Sequence, residues 1–138
     1  SLQLCGLQDA KKSGRIFAKL KFDIDELITS PANRAVETAC AIKHEMGKWI
    51  QSWSVEERIY SSDVKTLLQV IQQVDQKKKS VMLIGHNPEL DALAEYFLAK
   101  PFHFKTGASL LLKFDVKAWD ELANAKPVEV SLPAEKLA

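Results

Sequence analysis

The chain has 138 residues, 46% hydrophobic and 27% charged, with 19 Lys and Arg against 18 Asp and Glu, which is the composition of one globular domain with an adequate core. A formal net charge of +1 argues against a broad nucleic-acid or anionic-membrane surface and leaves room for one local basic pocket. No apolar run reaches the ~20 residues of a membrane span, and the first residues do not form a signal peptide.

Leu7, Ala10, Gly14, Phe17 and Leu20 recur at three- and four-residue steps, which predicts an amphipathic helix over 6–20. Glu26 to Thr29 reads as a strand running into Ser30-Pro31, a helix start with a hydroxyl cap followed by a residue that needs no amide hydrogen. The helix that follows carries Ala35, Val36, Ala39, Ile42, Met46 and Trp49 on one side, and Gly47 loosens its last turn. Trp53 and Val55 alternate with polar residues as in a short strand. Ser61-Ser62-Asp63 caps a third helix with Leu67, Leu68, Val70, Ile71 and Val74 inward, closed by the solvated run Lys77-Lys78-Lys79.

Val81 to Ile84 is continuously apolar, the mark of a parallel strand buried on both faces. It leads through Gly85-His86-Asn87 into Pro88 and a helix carrying Leu90, Leu93, Ala94, Phe97 and Leu98, with Asn87 as its cap. Strands are expected at 109–115 and 128–132, separated by a turn or short helix around Trp119. Helices alternating with strands predict a three-layer α/β/α sandwich with a mainly parallel sheet, and ligands of such sheets sit beyond the carboxyl ends of the strands.

Two segments occupy equivalent strand-to-helix junctions there: Ser30-Pro31-Ala32-Asn33-Arg34 and Gly85-His86-Asn87-Pro88. An oxyanion between them meets helix-terminal amides, the Arg34 guanidinium and the His86 imidazole. The plainer reading makes Arg34 a solvent-facing helix residue and the Gly-His-Asn-Pro block a capped turn. His44 reads as solvated, His103 as packed within an apolar turn, and Glu56 and Glu57 as surface. Cys5 and Cys40 read as free thiols more suited to core positions than to catalysis, in a reducing cytoplasm. No spacing of His, Cys and carboxylates suggests a metal site, and no cofactor is implied.

Leu-Ile-Thr-Ser-Pro-Ala-Asn-Arg-Ala-Val-Glu-Thr-Ala at 27–39 and Val-Met-Leu-Ile-Gly-His-Asn-Pro-Glu-Leu at 81–90 together resemble the histidine phosphatase superfamily, and within it the SixA-type phosphohistidine phosphatases. Arg58-Ile59-Tyr60, Lys105-Thr106-Gly107 and Phe114-Asp115…Trp119 follow in the family's order. The resemblance implies a phosphoglycerate mutase-like fold, Arg34 as phosphate-binding arginine, His86 as second active-site histidine, and Ser30, Asn87, Arg58 and Thr106 as candidate pocket rim. It implies dephosphorylation of phosphohistidine on a protein through a covalent phosphohistidine, with phosphate or sulfate as anionic ligands.

Members of that family begin with a strand ending in Arg-His-Gly or Arg-His-Ala, whose histidine is the nucleophile. Here the only arginines are Arg15, Arg34 and Arg58, and none precedes a histidine. The expectation is therefore one histidine phosphatase-like domain over 1–138 that lacks its first strand and nucleophile, which lie before Ser1. The alternative is a non-catalytic phosphate- or phosphoprotein-binding module of the same fold.

Overall fold

Strand β4 (Ser80–Ile84) is buried along its whole length, and the structure is organised on its two faces. The computed structural model describes residues 2–7, 11–60, 63–85, 88–104 and 109–132. Met82 and Ile84 join Phe17, Leu27, Ala39, Ile42 and Met46 on one face of the sheet. Val81 and Leu83 join Leu67, Ile71, Leu93, Phe97, Leu112 and Trp119 on the other. Alternation along one strand therefore feeds two separate cores, which is why the sequence reads as apolar at every position.

The other elements are β1 (Leu2–Leu7), α1 (Lys11–Lys19), β2 (Glu26–Thr29), α2 (Asn33–Met46), β3 (Trp53–Val55), α3 (Val64–Gln72), α4 (Glu89–Leu98), β5 (Ser109–Phe114) and β6 (Glu129–Ser131). One sheet takes the order β3-β2-β4-β1-β5-β6. The first four of these strands are mutually parallel, while β5 runs antiparallel to β1 and β6 antiparallel to β5. The expected α/β sandwich with a mainly parallel sheet is the architecture found.

The amino-terminal segment differs from the sequence expectation. Leu2–Leu7 is a strand, and the helix begins at Lys11. The sheet position beside β4, expected to be vacant in this chain, is filled by β1, which pairs with β4 on one side and β5 on the other. The physical reason is backbone demand: an empty position would leave two rows of amide and carbonyl groups unpaired inside the sheet. For Gly6 and Leu7 two ladders outweigh the helical spacing, which has only local contacts to offer.

Local chemistry sets the remaining bounds. Gly47 closes α2 at φ +50°, its amide donating to the Lys43 carbonyl, a conformation that glycine adopts without a Cβ penalty. Gly14 lets α1 approach α2: a Cβ there would lie 3.0 Å from the Cβ of Glu45. Asp63 caps α3 by accepting from the Thr66 amide at 2.9 Å, while Ser61 and Ser62 lie outside the described residues. Lys78, read as part of a solvated run, instead donates to Glu26 Oε1 at 2.7 Å and to Ser52 Oγ at 3.0 Å. Its carbonyl accepts the indole N–H of the fully buried Trp119 at 2.8 Å.

Candidate active site

Registers align the strand ends. Leu7 and Thr29 both lie opposite Ile84, and Val55 lies opposite Thr29, so four parallel strands finish at one level. Ser109, the first residue of β5, faces Leu7 at that level. The crevice expected beyond the strand ends therefore lies past Leu7, Thr29, Val55 and Ile84, level with the start of β5 at Ser109.

The turn after β2 is stitched to its neighbours. The Ser30 amide donates to the Ile84 carbonyl at 3.0 Å, and the Glu56 amide donates to the Thr29 carbonyl at 2.8 Å. Thr29 and Ser30 are buried polar residues, so both hydroxyls need internal partners. Thr29 Oγ1 donates to the Ser30 carbonyl at 3.0 Å, and Ser30 Oγ accepts the Ala32 amide at 3.3 Å. The hydroxyl thus ties down the turn rather than capping the first helical turn. Helix α2 starts at Asn33, with Ala32 as the cap residue and no side chain bonded to its first amides. Those amides sit at the positive end of a 14-residue helix, directly above the β2 terminus.

Arg34 is the second residue of α2 and is exposed; among the described residues no carboxylate is paired with it. A cavity of ≈ 470 Å³ is lined by Pro31, Ala32, Asn33, Glu57 and Tyr60, the wall residue Asn33 being the one before Arg34 in the chain. Arg58 takes a different direction. Its Nη2 lies 2.7 Å from Glu56 Oε1, and Glu56 also accepts the Arg58 amide at 3.1 Å. The Arg58 side-chain hydrogen bond holds the Glu56 carboxyl below its ordinary range, and the same bond holds the guanidinium above its own. The pair is internally neutral, so Arg34 is the cation left without an acidic partner on this side of the crevice among the described residues.

Of the other candidates, Gly85 directly follows β4, whose last residue Ile84 accepts the Ser30 amide, and Pro88 holds the cap position of α4, which starts at Glu89. His86, Asn87 and Thr106 lie outside the described residues. Glu57, expected at the surface, lines the cavity next to Asn33 together with Tyr60; the signal in the sequence is their position just after the end of β3. His103, expected to pack in an apolar turn, has a side chain 75% exposed and 2.6 Å from Asp91. Cys40 is an exposed free thiol rather than a core residue. Among the described residues no three His, Cys, Asp or Glu side chains are placed to hold a metal ion. No helix among them is long and apolar enough to cross a membrane.

The chain superposes on a structure from Nakamurella multipartitia assigned as a phosphohistidine phosphatase SixA, with a TM-score of 0.76 at 18% identity over 94% of this chain and 95% of that one. A protein histidine phosphatase SixA solved with tungstate gives 0.72 at 19% identity, over 98% and 99% of the two chains. A Plasmodium falciparum phosphoglycerate mutase gives 0.57 at 13% identity over 96% and 99%. The fold is the one shared by SixA and phosphoglycerate mutase. No protein-family model matches the chain. Within that fold, Ser-Pro-x-x-Arg follows β2 and Gly-His-Asn-Pro follows β4, on strands that are hydrogen-bonded neighbours.

Proposed function

We propose that the protein is a phosphohistidine phosphatase-type hydrolase whose substrate is a phosphohistidine-bearing protein. The observation that carries this reading is the placement of Arg34, with no acidic partner among the described residues, at the start of α2, above a strand that neighbours the one leading into Gly85-His86. A phosphoryl group there would take hydrogen bonds from the first amides of α2 and a two-pronged contact from the Arg34 guanidinium. His86 would neutralise a further oxygen as charge spreads in the transition state. Ser30 sets the turn that presents these groups, and Asn87 and Thr106 are the further rim residues that the sequence resemblance implies. An open cavity of ≈ 470 Å³ suits a side chain presented on a protein surface.

The chemistry proposed is in-line displacement: attack of an imidazole on phosphorus, departure of the substrate imidazole, then hydrolysis of the phosphoenzyme. The leaving imidazole has a conjugate-acid pKa near ~6.5, so little acid assistance is required. Glu57, in the cavity wall, is the carboxylate placed to order water there. Cys40 as an exposed free thiol suits a reducing compartment, and we place the protein in the cytoplasm.

A second reading is favoured by one observation: no Arg-His dipeptide occurs in these 138 residues. By that reading the same pocket binds a phosphorylated partner without turnover. A phosphohistidine peptide and its unphosphorylated form, titrated against the chain, test both. Preference for the phosphorylated peptide that is lost in Arg34→Ala supports the pocket, and release of phosphate abolished by His86→Ala selects the hydrolase. Equal binding of the two peptides would remove the case for a phosphoryl site.

A further inference from the structure

The loop at 101–104 returns from the end of α4 to its beginning, and Asp91 is what fastens it there. Asp91 Oδ1 accepts the Phe104 amide at 2.8 Å, and Asp91 Oδ2 lies 2.6 Å from His103 Nδ1. The carboxylate is 13% exposed, while the imidazole it holds is 75% exposed. Asp91 is the third residue of α4, and Phe104 lies five residues before Ser109. The pair therefore stands on the same end of the sheet as the crevice, and outside the cavity that Glu57 and Tyr60 line.

A carboxylate is acceptor-only, so Nδ1 is the nitrogen that donates to Asp91, and in the neutral ring the lone pair is on Nε2, the nitrogen without that partner. A half-buried carboxylate orienting an imidazole is the arrangement that activates histidine as a nucleophile. We propose that His103 Nε2 is a phosphoryl-acceptor site on this protein, taking the group from an N-phosphoryl donor. The Nε2 lone pair attacks phosphorus, and the phosphorus–nitrogen bond of the donor breaks. Ammonia leaves with that electron pair when the donor is phosphoramidate, whose nitrogen already carries three protons. The product keeps its proton on Nδ1 and is an N-phosphorylated imidazolium. Asp91 balances the new positive charge, so its contact strengthens as the bond forms.

His44 provides an internal reference. It is exposed on α2 and, among the described residues, has no carboxylate partner. The full chain is incubated with potassium phosphoramidate at neutral pH, and acid-labile label is mapped to peptides under alkaline conditions. His103 is expected to label about tenfold faster than His44, at Nε2 by phosphorus–proton correlation spectroscopy. Asp91→Asn keeps an oxygen for the Phe104 amide but turns a donor toward Nδ1, so His103 labelling should fall to the His44 rate while His44 is unchanged. His103→Gln should remove that label and leave the thermal midpoint in place. Labelling of His103 no faster than His44, attachment at Nδ1, or an unchanged rate in Asp91→Asn would overturn the proposal. The test makes no use of Arg34, so it fails or succeeds apart from the reading of the phosphate pocket.

Discussion

Replacing Arg34 with alanine removes the guanidinium from the start of α2 and leaves the helix amides in place. Arg34 is exposed, so the lost contact belongs at the lower end for a charge-assisted bond, about 1.4 kcal/mol or tenfold in affinity for an oxyanion. An ion that binds only the folded state at 100 times its dissociation constant stabilises by about 2.7 kcal/mol, and tenfold weaker binding leaves about 1.4. For 138 residues the unfolding entropy is about 0.3 kcal/mol/K, which makes those figures shifts of about 9 and 5 °C. Tungstate, followed by differential scanning fluorimetry across a concentration series, reads the difference directly. Arg58→Ala is the matched control: its guanidinium is already 2.7 Å from Glu56, so its tungstate shift should equal that of the unmodified chain. An undiminished shift in Arg34→Ala, or a shift lost in Arg58→Ala, would refute the assignment of the two arginines.

Three further outcomes test the scaffold under the site. Trp119→Phe should cost about 1–3 kcal/mol in urea unfolding, because a fully buried ring shrinks and the Lys78 carbonyl loses its indole donor. Gly14→Val should cost about 1–3 kcal/mol, since its Cβ would meet Glu45 Cβ at 3.0 Å and the Ile42 backbone at 3.3 Å; an unchanged denaturation midpoint would contradict the close approach of α1 and α2. The side-chain hydrogen bond from Arg58 holds the Glu56 carboxyl below its ordinary range, so its ionised form stabilises the fold above the usual carboxylate range. The stability gap between the chain and Glu56→Gln should be full at neutral pH and close as pH falls through the depressed value; a gap that widens in acid would reverse the sign.

Where sequence reading succeeded, one strong local determinant faced no competitor. Ser30-Pro31 and Pro88 mark helix starts after β2 and β4, because proline ends a strand and opens a helix in the same step. The apolar run at 81–84 has no alternative to burial on both faces. The strand Leu2–Leu7 is not legible locally, because residues 6 and 7 continue the helical spacing that predicts a helix over 6–20, while the deciding ladders come from β4 and β5, more than 70 positions away. Side-chain partnerships were the least legible part of the site. Nothing in the order Glu56-Glu57-Arg58 says that Arg58 turns back on Glu56 and leaves Glu57 to the cavity wall. His103 reads as apolar by its neighbours Phe102 and Phe104, which meet edge to face at 4.9 Å and leave the ring between them outside, on Asp91.

The sheet order gives β1 a mechanical role. On one side of Leu2–Leu7 lie β3, β2 and β4, and on the other β5 and β6, with no direct ladder between the two groups among the described residues. Six residues are the seam along which the sheet would unzip. A chain starting at Gln8 would present a slot open to one extended segment, parallel to β4 and antiparallel to β5. A synthetic peptide of the sequence Leu-Gln-Leu-Cys-Gly-Leu added in trans should close it, and restored amide protection in Val81–Ile84 and Leu110–Leu112 would report the closure from both flanks at once.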